Sequence, residues 1–176
     1  MDEGTKTCCF FGHRKVLDAV ETQKKLYQVI EDLIRKEGIE TFLFGSRSDF
    51  DALCLSTVTA LQGRYPHIRR VYVRAEYPYI SDSYERYLLK SYDATYFPEF
   101  AVKAGKAVYV ERNREMIQKS KICVIYYREN YMPPTRKASK RSVTEYQPKS
   151  GTKLAYDYAL QKQKTIVNVA EQGAEE

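Results

Sequence analysis

Short apolar segments alternate with longer amphipathic segments along most of this chain of 176 residues. Residues 122–127 are apolar or aromatic at every position, which is typical of a strand buried on both faces of a sheet. Between such runs, apolar residues recur three and four positions apart, the spacing of one helical face. The alternation predicts an α/β fold with a mostly parallel sheet and helices on both faces.

The same patterns place the individual elements. Strands are predicted at residues 7–11, 39–44, 68–73, 122–127 and 165–169. Helices are predicted at residues 20–37, 50–62, 83–91, 112–119 and 153–163. Gly38 is expected to stop the first helix, because glycine readily adopts the left-handed conformation that follows many helices. Residues 107–110 are either a strand or an extended link.

The composition is that of a soluble globular protein, with 43% hydrophobic and 30% charged residues. The length suits one domain, which we predict over residues 1–176. No apolar run approaches the roughly 18 residues of a membrane span, and the acidic N-terminus does not have the pattern of a secretory signal. We therefore expect a cytoplasmic protein with no membrane partner.

The cysteines and histidines limit the chemistry. Buried free thiols in a reducing compartment explain the cysteines better than disulfides do, because no C-x-x-C spacing is present. His13 and His67 are the chain's two histidines, too few to favour a zinc site. We predict neither a metal nor a cofactor. The cysteines are Cys8, Cys9, Cys54 and Cys123.

Most of the net charge of +6 lies in one segment, residues 128–149, which carries six basic and two acidic side chains. The same segment holds three of the six prolines, and we predict a mobile basic loop. It is either a solvated excursion or a lid that closes on an anionic ligand. A nearly neutral body with one basic loop is not the charge pattern of a protein that lies along DNA.

Ligands of parallel α/β sheets bind beyond the carboxyl ends of the strands. This rule predicts that four segments distant in sequence share one site. A strand leading to a Gly-Thr helix start also suits an anion, because the first-turn N–H groups are unpaired. The candidate residues are Gly12, His13 and Arg14 after the first strand, Gly45, Ser46 and Asp51 after the second, Tyr77 after the third, and Tyr126 with Ser150, Gly151 and Thr152 around the late strand.

Each segment also has a purely structural explanation. Residues 12–14 form either a simple turn or a phosphate contact, and we favour the contact, because glycine allows close backbone approach and arginine offers a guanidinium fork. Ser48 or Asp49 can cap the next helix, and we assign Asp49 to capping. For Asp51, a structural role and a bond to a ribose hydroxyl are equally weighted. Neither G-x-G-x-x-G nor a Walker loop is present, which argues against ordinary dinucleotide or triphosphate binding.

Seven tyrosines lie within residues 72–96. They either pack at a half-buried surface or subunit contact, or stack on a base. We expect one or two to touch a ligand, with Tyr77 favoured by its position. Arg112 and Asn113 are either exposed or ligand contacts. Met116 lies on the same helical face as Arg112, so core packing of Met116 would direct Arg112 toward the sheet edge.

Several segments together resemble the SLOG superfamily, specifically its small stand-alone bacterial members. The resemblance covers nearly the whole chain and implies a Rossmann-like three-layer sandwich related to LOG phosphoribohydrolases and DNA-processing proteins. The segments that carry it are CCFFGHR, FGSRSDFD, the tyrosine-rich centre, RNREM with SKICVIYY, and SGTKLAYDYALQKQKTIVNV.

LOG enzymes cleave the base from a nucleoside 5′-monophosphate with an arginine before the late strand and a glutamate soon after a Gly-Gly-x-Gly-Thr loop. The resemblance implies that Arg112 and Met116 match the Arg-x3-Met part and that residues 151–152 match the Gly-Thr pair. The glutamate has no counterpart, because Ala155 stands three residues beyond the threonine and the nearest acid is Asp157.

Glycosidic cleavage needs a carboxylate, so Asp51, Glu76 or Asp157 would have to supply it. We therefore predict a protein that binds a nucleotide or nucleotide-derived molecule and acts as a sensor, and we favour this function over that of a hydrolase. Residues 150–152 with Arg14 or Arg112 would hold phosphate, and Asp51 a sugar hydroxyl. The alternatives are a nucleoside 5′-monophosphate phosphoribohydrolase and, well behind, a DNA-binding accessory protein. Homo-oligomerisation stays open, since related folds commonly dimerise.

Overall fold

A computed structural model describes residues 3–75, 77–99, 107–129 and 151–170. The chain alternates strands and helices within these ranges. The strands are β1 Thr7–Gly12, β2 Thr41–Phe44, β3 Arg69–Val73, β4 Ala94–Tyr96, β5 Ile122–Tyr126 and β6 Thr165–Asn168. The helices are α1 Ala19–Lys36, α2 Asp49–Gln62, α3 Asp82–Leu88, α4 Val108–Gln118 and α5 Gly151–Gln161.

The six strands form one sheet in the order β4-β3-β2-β1-β5-β6, and each observed pairing is parallel. The chain moves outward from β1 to β4 and then returns across the sheet to β5, on the other side of β1. The connections that leave β1 and β5 therefore run in opposite directions. This arrangement makes a topological switch point, where a crevice opens beyond the strand ends.

The helices divide between the two faces of the sheet. Since crossovers are right-handed, strands that advance in opposite directions place their helices on opposite faces. α1 and α2 pack on one face, where Phe10 and Phe42 meet Leu26 and Phe50. α4 and α5 pack on the other face, against residues that alternate with these along the strands, such as Cys9 and Leu43. The predicted three-layer α/β sandwich is confirmed.

The element predictions have two errors. Residues 107–110 are neither strand nor extended link, because α4 begins at Val108. β4 was not predicted, since its three residues are only half-buried and carry no apolar run. The prediction that Gly38 follows the first helix is confirmed. This glycine has φ +68° directly after the C-cap residue Glu37.

The cysteines lie in the core as free thiols, as predicted. Burial raises the pKa of Cys8, Cys9 and Cys54, which disfavours the reactive thiolate. In the described ranges, no cluster of three or more histidine, cysteine or acidic side chains could hold a metal ion. None of the helices described is long and apolar enough to cross a bilayer.

Candidate functional site

The ends of β1 and β5 are joined at the switch point by His13. Gly12 lies in register with Tyr126, and the His13 N–H donates to the Tyr126 carbonyl at 3.3 Å. The His13 side chain is buried, and its Nε2 accepts the backbone N–H of Arg128 at 2.8 Å. Nε2 must therefore be unprotonated, which places the imidazole proton on Nδ1. His13 anchors the chain that leaves β5 to the loop that leaves β1.

A second set of bonds supports the same junction. The buried Tyr126 hydroxyl donates to Asp18 at 2.7 Å, and the Arg128 guanidinium contacts the other Asp18 oxygen at 3.3 Å. The bond from Tyr126 is the main cause of a lowered Asp18 pKa, and burial followed by Asp18 raises the pKa of Tyr126 to about 12. Asp18 also occupies the N-cap position of α1, so this network ties α1 to β5.

We expect His13 to titrate far below an ordinary histidine. Burial lowers its pKa from 6.5 to about 4. Because the unfolded state binds the proton first, the stability contributed by neutral His13 is complete above about pH 6.5 and is lost as pH falls toward 4. NMR titration of His67→Gln, which leaves His13 as the one histidine, measures this pKa directly. A midpoint near 6.5 would contradict the buried, bonded imidazole.

The β2–α2 loop is fixed by its own polar side chains. Ser48 is the N-cap of α2 and accepts the Asp51 N–H at 3.0 Å. Asp51 Oδ2 in turn accepts the Ser46 N–H at 2.8 Å. Of the two capping candidates, Ser48 fills the role, and the assignment of Asp49 is wrong. The Asp49 carboxylate instead accepts the Val16 N–H at 3.4 Å, which links this loop to the β1–α1 loop.

One peptide group in this loop is held at both ends by charged side chains. Arg112 Nη1 donates to the Gly45 carbonyl, and Asp51 accepts the N–H of Ser46 from the same peptide unit. A Cβ on Gly45 would lie 2.9 Å from Arg112 Nε and 2.8 Å from Met116 Sδ. Glycine is therefore needed for the guanidinium to reach the backbone. We name this arrangement, formed by Asp51, Arg112 and the Gly45–Ser46 peptide, the peptide clamp.

Asp51 is the electrostatically unusual member of the peptide clamp. Its side chain is buried, and Oδ1 has no hydrogen-bond partner among the described residues. Burial raises its pKa to about 6, although the Ser46 N–H and the Arg112 charge act in the opposite direction. A buried carboxylate oxygen without a donor is costly, so it can be satisfied by a ligand hydroxyl or a water molecule.

The first turn of α5 reaches the same region from the other face. Gly151 is exposed and Thr152 is buried. The Lys153 Nζ lies 5.7 Å from the centre of the Tyr127 ring and bonds Asp157 at 3.2 Å. Tyr127 also lies against the His13 ring, with ring centres 5.6 Å apart. These contacts connect the start of α5 to the junction of β1 and β5.

The predicted residues thus divide into groups. Those at the β1–β5 junction, in the peptide clamp and at the start of α5 lie at the carboxyl ends of the strands. Arg14 is exposed there, and its carbonyl accepts the Asp49 N–H at 2.8 Å. Tyr77 is separate, since it follows β3 two strands away from β1, and its ring is 57% exposed. Asn113 bonds Arg112 Nε at 3.1 Å. Ser150, Glu76 and residues 130–149 of the basic loop lie outside the described residues.

Packing explains one candidate without a ligand. A Cβ on Gly12 would lie 2.3 Å from the Phe50 ring, so glycine is required here for α2 to pack against β1. Two other contributors to the site, Asp18 and Lys153, were not predicted, and Arg128 was expected only as part of the basic loop. An acidic residue directly before the first helix was the available signal for Asp18. The sequence has no comparable signal for Arg128, because its role depends on a tertiary contact with His13.

No protein-family model matches this chain, and no curated protein matches it. The resemblance to the SLOG superfamily therefore stays a prediction.

Proposed function

We propose that this protein binds a nucleotide or a nucleotide-derived small molecule at the carboxyl rim of the sheet and acts as a sensor. The observation that carries the proposal is the chain of contacts from His13 through Tyr127 to Lys153 at the switch point. It brings an exposed helix start, a cation and two strand ends to the place where α/β sheets bind ligands.

Different parts of the rim suit different parts of a nucleotide. The first-turn N–H groups of α5, at Gly151 and Thr152, with the Lys153 ammonium, suit a phosphate. The Asp51 carboxylate is assigned to a ribose hydroxyl, which has to enter the β2–α2 loop because the unpartnered Oδ1 is enclosed by the protein. Exposed Arg14 can supply a second guanidinium contact to the phosphate. This assignment adds Lys153 to the residues expected from the sequence.

The phosphoribohydrolase alternative has less support. Arg112, which the resemblance aligns with the arginine of LOG enzymes, is buried and bonded to Gly45 and Asn113. Asp157 is paired with Lys153, and Asp51 is held by Ser46. These interactions give Arg112 and Asp157 a structural function and occupy one oxygen of Asp51. Binding needs no further carboxylate, whereas glycosidic cleavage does.

Thermal shift against mono-, di- and cyclic nucleotides and ADP-ribose derivatives tests the proposal. We expect saturable stabilisation by at least one nucleotide, with no base released in chromatography of the mixture. A ligand at 100 times its Kd contributes about 2.7 kcal/mol, a shift of roughly 5–10 °C for a chain of this size.

Lys153→Gln should weaken binding of the stabilising nucleotide by about tenfold, because it removes a phosphate-binding charge. Lys162→Gln is the matched control, since Lys162 lies beyond the other end of α5. Stabilisation by no nucleotide would overturn the proposal. Release of free base would show that the protein hydrolyses the nucleotide, and the phosphoribohydrolase alternative would then replace the binding proposal.

A further inference from the structure

The outward side of α2 carries no charge. Residues 52–62, which make up this helix beyond its first turn, include no acidic or basic side chain, although 30% of the chain is charged. The solvent-facing side of an amphipathic helix normally carries charged and polar side chains. On α2 small uncharged side chains take their place, so this surface is less costly to remove from water than that of a typical surface helix. The exposed residues are Ala52, Ser56, Thr59 and Ala60.

α1 borders this surface, and a groove separates the two helices. α1 and α2 pack side by side on the same face of the sheet. The groove has a volume of about 370 Å³, with Val20 and Tyr27 of α1 on one side and Ala60 of α2 on the other. Val20 is apolar but 68% exposed, and Leu17, just before α1, is 83% exposed. We name this surface, the groove with the exposed residues of α2 beside it, the α1–α2 face. It combines an apolar side chain that protrudes with a recess that can receive one.

The charged side chains at the border of the α1–α2 face are paired within the protein. Lys24 Nζ lies 3.6 Å from a Glu21 oxygen. Arg64 contacts the Tyr27 hydroxyl at 3.4 Å and bonds Glu31 at 2.8 Å. A nucleic acid or an acidic partner needs unpaired cations, and a membrane surface needs basic side chains around the apolar ones. An uncharged centre with a polar border is instead the composition of a protein–protein interface.

A second copy of the chain suits this face in both shape and charge. In a two-fold dimer both partners use the same surface, so that surface must supply both the protruding and the receding parts. The α1–α2 face has both, in Val20 and in the groove. Two copies also bring one uncharged stretch of helix against another, so residues 52–62 bury no charge without a partner. We propose that this protein forms a homodimer through the α1–α2 face.

The extent of the face sets the strength of the dimer. α1 has 18 residues and α2 has 14, so the two helices are roughly 27 and 21 Å long. Side by side, they present a surface roughly 20 Å wide, or about 500 Å² for each copy. A dimer would therefore bury about 1,000 Å² in total, near the lower limit for a specific interface. We accordingly expect a reversible dimer with a Kd on the order of micromolar.

Sedimentation velocity over a concentration series tests the dimer. The wild-type protein should pass from a monomer of 20.5 kDa to a species of twice that mass as its concentration rises. Ser56→Arg places a charge in the centre of the face and should raise the Kd about 100-fold or more. Because Ser56 is exposed, the arginine can extend into water in the monomer, so the circular dichroism spectrum should not change. Val20→Ser should raise the Kd about tenfold, since it removes apolar area from the interface.

Gln161→Arg is the matched control, because it adds the same charge at an exposed position of α5, on the opposite face of the sheet. It should dimerise as the wild type does. A wild-type protein that stays monomeric throughout the series would overturn the proposal, as would a dimer that Ser56→Arg leaves intact or that Gln161→Arg disrupts equally. The proposed nucleotide binding is tested separately, since the α1–α2 face includes none of the residues assigned to the nucleotide.

Discussion

Replacing Gly12 by alanine is expected to destabilise the protein by about 3 kcal/mol, because the new methyl group has no space. The added Cβ would lie 2.3 Å from two atoms of the Phe50 ring and 2.4 Å from its Cβ. Phe50 is fully buried between α2 and the sheet, so it cannot turn away without disturbing the core. Urea denaturation followed by circular dichroism measures the loss.

Gly151→Ala is the matched control for this substitution. A Cβ at Gly151 would meet no heavy atom of the described residues within 4 Å, so we expect a change of no more than about 0.5 kcal/mol. Phe50→Ala should cost less in the Gly12→Ala background than in the wild type, with a coupling energy above about 1 kcal/mol, because it removes the ring atoms that lie 2.3 Å from the new Cβ. A Gly12→Ala variant as stable as wild type but unable to bind nucleotide would reverse the assignment, and make Gly12 a phosphate contact.

The general architecture could be predicted from the sequence because the central strands are buried on both faces. Residues 122–126 have no polar position, and all five are buried. β4 had no such signal. Its position depends instead on Asp93, just before it, which accepts both the backbone N–H of Arg70 at 2.7 Å and the Arg70 guanidinium. A short strand at the sheet edge is thus placed by a tertiary ion pair.

The candidate site was predictable to the level of loops but not of individual contacts. The rule that strand ends share a rim correctly grouped the loops after β1, β2 and β5. It could not identify what Arg112 binds, since the Gly45 carbonyl comes from a distant strand end. Nor could it separate the two explanations for Gly12, because Phe50 belongs to another helix. A glycine that allows ligand approach and one that allows packing look the same in sequence.

The largest electrostatic effect is expected from Arg112→Met. This substitution removes the guanidinium from the Gly45 carbonyl and leaves Asp51 buried without its neighbouring positive charge. Breaking a buried charge interaction in this way costs about 3–5 kcal/mol. Asp51→Asn in the same background should recover more than about 1 kcal/mol, because the neutral amide no longer needs the arginine. Additive losses would mean that the two residues act independently.

The pH dependence of stability gives the peptide clamp an independent test. Asp51 has a folded-state pKa of about 6, above the usual 3.8, so the folded state binds its proton first as pH falls. This residue should therefore add stability as pH falls from about 7 to 4, by up to about 3 kcal/mol.

The neutral His13 imidazole contributes less and less to the stability of the protein over much of the same pH range. The wild type must therefore be compared with Asp51→Asn, in which His13 is unchanged. The stability of wild type relative to Asp51→Asn should rise as pH falls. Arg112→Met should shift that rise to higher pH, because the arginine charge lowers the pKa of Asp51. A stability difference between wild type and Asp51→Asn that does not change with pH would show that Asp51 has the same pKa in the folded and the unfolded protein. The peptide clamp would then lack its buried carboxylate.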